Sequence, residues 1–356
     1  MCKTTKFIYS PDNKDVIRMI EPQETGMMRH GALNVYASLP CPMKVPFRQL
    51  MSEFENEYNA THLQKVYCPD IMDCSSEELG FIVRNTTDPE RLPDIIIANN
   101  YEFFFEYPFA EKFLQTGHFQ GYTNQSDWNA MPESLKANFS RSNLGVLCFG
   151  SRSVVYDLTV KGFPADIHSW RQLLTPEFED TFTIHGHVDK ATFGLMYFLN
   201  RNFGFDGIIR YAKNIADIKH FSQIIKRMCS TNEYRTPINI LPDVATAKIP
   251  SSKKVHVLEL EEGKMLSPMV LVVKTSAIDK CANILKFLCS EPFRRMLSLG
   301  CILPDALSKD KPYFMPDFDT LSKNYAQMNK EFNALYLNNL NMEKINLRAT
   351  DGGVCK

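Results

Sequence analysis

The sequence predicts an α/β protein built as two lobes, and three observations carry that expectation. Strand-like and helix-like segments alternate along the whole chain. Two stretches, near residues 150 and 250, read as strands that cross between lobes. Such a pair makes the first lobe discontinuous and inserts the second within it, an arrangement suited to hinge closure around a ligand. The chain also opens on a strand, a Pro-rich turn and a helix, the unit whose junction carries ligands in open α/β sheets. The expected division is a leader over residues 1–32, a first lobe from 33–149 and 255–356, and a second lobe from 150–254.

The elements follow in order. Leu33, Val35 and Ala37 alternate with Asn34, Tyr36 and Ser38, the period of a strand. Pro46 suits the first helical position, and Phe47, Leu50, Met51, Phe54 and Tyr58 then share one face. Val66-Tyr67-Cys68 reads as a second strand, and the polar run from Ser75 to Glu78 as a helix start. Asp94 to Ala98 is a continuous apolar run after its first residue, as in a parallel strand covered on both faces. Phe103, Phe104, Phe105 and Phe109 suit the core. Leu144 to Asp157 is two strand-like runs joined by Gly150-Ser151-Arg152, the first crossing. In the second lobe, helices are expected around Trp170, from about Lys190 to Asn200, and from Ile208 to Met228, with strands at 181–184 and 238–242. Val255 to Leu260 begins the return crossing, and two further helices, Ala277–Cys289 and Pro292–Leu297, close the first lobe. The polar tail from Asp310 is expected to wrap the surface.

Composition narrows the class. The chain has 356 residues, 44% hydrophobic and 23% charged, enough for a full globular core. A net charge of −1 supplies no global field for nucleic acid, and no apolar window is long enough to span a membrane. The N-terminus carries no apolar segment of the signal-peptide kind. Ten cysteines without regular spacing fit free thiols in a reducing compartment. The expected location of the sequence as it stands is therefore cytoplasmic, or extracytoplasmic if an export segment has been removed.

Strand ends nominate the binding residues. Ser38, Cys41, Met43 and Lys44 follow the first strand; Asn99, Asn100 and Tyr101 follow the third; Arg152 sits in the crossing. Helix N-termini near Pro46 and Lys190, with Lys44 and Arg152, suit a small anion. His185, His187 and Asp189 lie at a strand end with alternate spacing. Two imidazoles and a carboxylate suit iron, nickel or zinc. The same residues equally form a polar turn in which Asp189 caps a helix. Cys41 is either a soft ligand or a small buried filler between prolines. Catalysis would need Ser38, Cys41 or Cys148 as nucleophile with His185 or His187 as base, and no nucleophile motif accompanies them.

Taken together, the chain resembles the type II periplasmic-binding-protein family, and within it the iron(III)-type substrate-binding proteins of ABC transporters. The resemblance rests on five stretches in the family's order: Leu33 to Ser38; Pro93 to Ala98 with the aromatic cluster after it; Gly150-Ser151-Arg152 leading into Val154 to Asp157; Pro164 with Ser169 to Leu174; and Glu261 to Pro268 with the helix ending at Ser290. It covers roughly residues 31–305. It implies a non-catalytic monomer that closes over a small ligand, a transition metal, its chelate or an anion, and delivers it to an ABC permease. The family's iron binders present adjacent tyrosines from the second lobe. The corresponding stretch here has Tyr234 followed by Arg235-Thr236-Pro237, with no such pair. A cytosolic sensor or metal-delivery protein on the same fold is the alternative.

Overall fold

In chain order the elements are β1 (Ala32–Ser38), α1 (Cys41–Thr61), β2 (Lys65–Tyr67), α2 (Ser76–Asn85), β3 (Ile95–Ala98), α3 (Phe103–Glu106), β4 (Phe119–Gly121), α4 (Gln125–Ala130), α5 (Glu133–Ser142) and β5 (Gly145–Asp157). They continue with α6 (Trp170–Leu173), β6 (Phe182–His185), α7 (Phe193–Asn214), β7 (Ile215–Lys219), α8 (Phe221–Cys229), β8 (Ile238–Pro242), α9 (Asp243–Thr246), β9 (Val255–Val257) and β10 (Lys264–Lys274). The last are α10 (Ala282–Leu288), α11 (Glu291–Ser298), β11 (Tyr313–Phe314), α12 (Phe318–Asn339) and α13 (Met342–Thr350). The computed structural model describes residues 26–71, 76–164, 166–230 and 235–350. Most of the expected leader, with Cys2, Ser75 and Tyr234, lies outside the described residues.

One sheet runs through the molecule in the order β2-β1-β3-β10-β5-β8-β6-β7. β1 is parallel to β2 and β3, and β10 lies antiparallel between β3 and β5. Beyond β5, β8 is antiparallel to it, while β6, β8 and β7 run parallel to one another. The two-lobed α/β architecture follows from β5. Its first half, Gly145 to Ser151, pairs with β10, and its second half, Arg152 to Tyr156, pairs with β8. Val155 to Asp157 also pair with β9, so the second crossing runs from β9 into β10 beside the first. The C-terminal ends of β1 and β3 thereby face those of β6 and β8 across the crossing strands.

Apolar continuity fixes this plan. Ile95, Ile96 and Ile97 are fully buried, as are Val270 to Val273 beside them. Each such side chain contributes about 1.5–3 kcal/mol by leaving water. α1 buries Met43, Phe47, Met51 and Tyr58 against the helices that follow β10, with Phe47 edge-on to Phe293 and Phe54 stacked on Phe287 at 4.3 Å. At the start of β5 the backbone of Gly145 passes so close to β4 that a Cβ there would lie 2.2 Å from the main chain of Tyr122. Only glycine fits where β5 takes over from β4 along β10.

Several expectations are corrected. α1 starts at Cys41 with Pro42 in its first turn, and Pro46 lies inside the helix rather than at its start. Both prolines sit near the N-terminus, where few N–H bonds are lost. The segment from Ile208 to Met228 is not one helix: α7 ends at Asn214, and Ile215–Lys219 forms the edge strand β7. α7 itself bends at Gly204, which takes φ 67°. The tail is not a surface wrap. α12 buries Phe318, Leu321, Tyr325, Phe332 and Tyr336, and it packs on α3 and α5 as well as on α7. α13 then packs on β7.

Candidate functional site at the strand ends

Four strand ends border the crossing strands, two on each side. On the β1–β3 side, the Ser38 hydroxyl donates to the Asn99 side-chain oxygen at 3.3 Å, and the Asn99 N–H donates to the Ser38 carbonyl at 3.0 Å. Asn100 turns back to accept from the N–H of Glu102. Cys41 is exposed and Lys44 part-buried at the start of α1. Pro42 has no N–H to offer, so this helix end presents fewer donors than expected. The reading of Cys41 as a buried filler is corrected by its exposure. Met43 is corrected too: it is wholly buried among the residues under α1 and faces no cleft. Tyr101 is also buried, with its ring 5.6 Å from that of Phe318.

On the β6–β8 side, alternation along β5 divides the crossing between two faces. Ser151 and Ser153 donate to the two oxygens of Asp243 at 2.5 and 2.6 Å, and the Lys264 ammonium pairs with the same carboxylate. Asp243 thus joins β5, the end of β8 and β10. Arg152, between the two serines, points elsewhere. Its guanidinium donates to the His185 carbonyl at 2.9 Å and to the Thr192 hydroxyl at 3.3 Å. Both acceptors are neutral. Among the described residues no carboxylate lies at ion-pair distance from Arg152, and burial lowers its pKa from the ordinary arginine value.

The start of α7 is already engaged. Thr192 precedes the helix, so Asp189 does not cap it. The Ala191 N–H donates to Asn333 of α12, and the Gly194 N–H donates to the Glu102 carboxylate from beside β3. Tyr325 of α12 donates to Glu102 at 3.4 Å. Burial raises the Glu102 pKa, and Lys190 opposes that shift. A second link, Lys190 to Glu106 at 3.8 Å, joins the same two parts of the chain. The helix end that sequence reading offered to a ligand is therefore filled by the chain's own carboxylate.

His185, His187 and Asp189 are not brought together as a metal centre. Among the described residues no three His, Cys, Asp or Glu side chains are grouped to hold an ion. His185 is part-buried, its ring edge-on to Phe221 and to His220, while His187 and Asp189 are exposed. Burial and the nearby Arg152 guanidinium push the His185 imidazole down to about 4. A base with a lowered folded pKa leaves stability untouched above its free value near 6.5 and costs stability as pH falls from there toward 4. His185→Gln should flatten that acid limb, read as a smaller loss of urea midpoint between pH 7 and pH 5 than wild type shows. Solvent contact makes the effect smaller than the full shift would give. Cys148, considered as a nucleophile, is fully buried, and burial raises its thiol well above the ordinary value.

Asp243, Glu102, Thr192 and Lys264 were missed from sequence. Asp243 carried one local signal: an acidic residue after Pro242, where a strand turns into a helix. Glu102 and Lys264 carried none, because their partners lie far along the chain.

A model of the family described as bacterial extracellular solute-binding protein matches residues 90–324. No curated protein matches the sequence significantly. Solved structures share its fold. An iron- and citrate-bound protein of Trichodesmium (IdiA, FutA) is 13% identical with a TM-score of 0.59, covering 86% of this chain and 99% of its own. A ferric binding protein from Campylobacter jejuni is 12% identical, TM-score 0.60, with 85% and 99% covered. Apo FutA2 from Synechocystis is 14% identical, TM-score 0.58, with 87% and 100% covered. The expected cytoplasmic location finds no support in a family described as extracellular. No described helix is long and apolar enough to cross a membrane.

Proposed function

This chain belongs to the bacterial extracellular solute-binding proteins, the non-catalytic ligand carriers of ABC transport systems, and we propose that its cargo is a small oxyanion or an anionic metal chelate held at the strand ends. The observation that carries the reading is Arg152: a guanidinium at the junction of the two parts of the sheet, bonded among the described residues to neutral acceptors. Lys44 adds positive charge from α1, and Ser38 and Asn99 add a hydroxyl and an amide. The absence of a three-residue His, Cys, Asp or Glu group among the described residues favours a metal that arrives with its own oxygen ligands. The iron- and citrate-bound Trichodesmium relative fits that chemistry. In this reading the lobes are residues 33–149 with the β9–β11 segment, and 150–254, and α12 is shared between them. The protein works as a monomer outside the cytoplasm and hands its cargo to an ABC permease.

A thermal-shift and calorimetric series decides among cargoes: ferric citrate, citrate, phosphate, and iron, nickel and zinc salts. A true ligand at 100 times its Kd stabilises the folded state by about 2.7 kcal/mol. Ferric citrate or citrate is expected to bind, and Arg152→Gln is expected to weaken binding at least tenfold. Binding of a bare metal salt alone, unchanged in Arg152→Gln, would sink the reading.

A further inference from the structure

Along the crossing strands lies a second concavity that shares Arg152, Ser153 and Lys264 with the strand-end site. Its volume is about 540 Å³, within the range of small-molecule sites. The floor is β5 at residues 152–154. One wall is the return crossing from Val257 to Met265, and the other is the segment from Ile302 to Tyr313. Trp170 is part of the lining. The walls are tied in place: Glu262 accepts from the Ser169 hydroxyl at 2.6 Å and from the Trp170 N–H at 3.0 Å, and Lys264 pairs in register with Tyr313. Ser38, Asn99, Asp243 and His185 take no part in it.

The lining has two characters. Leu260, Met265, Ile302 and Tyr313 are only half-buried, and Val257 is 43% exposed. Leu260, Met265, Ile302 and Tyr313 pack on the core and also line the concavity. Arg152, Lys264 and Lys311 stand on the same lining; Lys311 pairs with Glu259 at 2.9 Å and Lys264 with Asp243, which leaves Arg152 as the cation without a carboxylate at ion-pair distance among the described residues. Three cations against two carboxylates leave one positive charge over aliphatic walls, which suits an acid with a hydrocarbon tail and disfavours an amine with the same tail.

We propose that this hinge cavity is a second binding site, for an amphipathic monocarboxylate of medium chain length. The carboxylate lies toward Lys311 and Lys264, and the tail lies along Leu258, Leu260, Met265 and Ile302. Because the floor and one wall are the two crossing segments themselves, occupancy bears on how the lobes sit. The cavity shares Arg152 with the cargo reading, and Lys311, Ala306 and the apolar walls belong to the cavity alone, so the two are tested through those residues.

The chain has two tryptophans, Trp128 and Trp170, so Trp128→Phe leaves a reporter in the cavity wall alone. That protein is titrated with octanoate and with octylamine below their micelle concentrations. Octanoate is expected to change Trp170 emission saturably, at least tenfold more tightly than octylamine. Lys311→Glu, an exposed change that leaves the core intact, should weaken octanoate at least fivefold. Ala306→Phe, which adds a ring to the cavity lining, should abolish the response. Equal binding of octylamine, a response indifferent to both substitutions, or no saturable response to octanoate each overturns the proposal. Ferric citrate titrated into the same variants reads the strand-end site separately.

Discussion

Asp243→Ala is expected to lower the unfolding free energy by about 2–4 kcal/mol, from the loss of charge-assisted hydrogen bonds and the uncovering of a cation. The carboxylate accepts from Ser151 and Ser153 and pairs with Lys264, so its removal leaves two hydroxyls and an ammonium without their partner. The side chain is 22% exposed, which keeps the value below that of a fully buried pair. Urea denaturation at neutral pH reads it. Asp243→Asn, which keeps one acceptor oxygen, should lose less. The second substitution Lys264→Met should be partly compensating in the Asp243→Ala background, giving a coupling energy of the order of 1 kcal/mol or more. A loss below about 0.5 kcal/mol for Asp243→Ala would show that water replaces the carboxylate there and that the crossing strands are held by main-chain pairing alone.

Arg294→Met should cost still more, about 3–5 kcal/mol. The Arg294 guanidinium reaches both oxygens of Asp127 at 2.7 and 2.6 Å, and Asp127 is only 5% exposed. The hydrogen bond that Arg294 donates to Asp127 raises the arginine's pKa. Taking away the cation strands a buried carboxylate. Asp127→Leu combined with Arg294→Met should recover most of the loss, because two apolar groups leave no buried charge unpaired and Asp305 is exposed to water. The two urea midpoints decide it, and a double variant no better than Arg294→Met would overturn the buried-charge account. Arg294 also donates to Asp305 at 2.6 Å, so the same substitution loosens the 304–306 turn that borders the hinge cavity.

The fold was legible where burial leaves a one-dimensional mark. Ile95-Ile96-Ile97 and Val146-Leu147-Cys148-Phe149 are apolar at every position because both sheet faces are covered, and they read as strands without help. β7 was hidden for the opposite reason. Ile215-Ala216-Asp217-Ile218 follows a helical run with no Gly or Pro between them, and its Asp217 is buried through pairing with Arg227 and Lys219. A charge neutralised in space looks like a surface residue in sequence. Pro46 misled by its good fit to a helix start, when Pro42 in the first turn fits the same rule.

The site divides along the same line. Ser38, Asn99 and Arg152 could be named because strand ends announce them. Tyr101 and Met43 were placed at the right strand ends but on the wrong faces, since the chain turns into the core one residue after Asn100 and two after Cys41. Glu102 at the start of α7 and Asp243 between two serines are contacts across some 90 residues, and no local pattern carries such a pairing.

α12 has a mechanical consequence. Two adjacent strands make a hinge that is soft to bending and to twisting alike. A 22-residue helix that grips α3 and α5 with one stretch and α7 with another adds a third tether, off the line of the first two. A body held at three points that are not in line resists gaping, and the remaining soft coordinate is shear of one helix face over another. Opening then has to slide aromatic side chains such as Phe193 past Tyr325 and Phe332, whose rings lie 4.7 and 5.6 Å away. Cargo exchange would be paced by that friction, and shortening α12 would quicken release before it weakened equilibrium affinity.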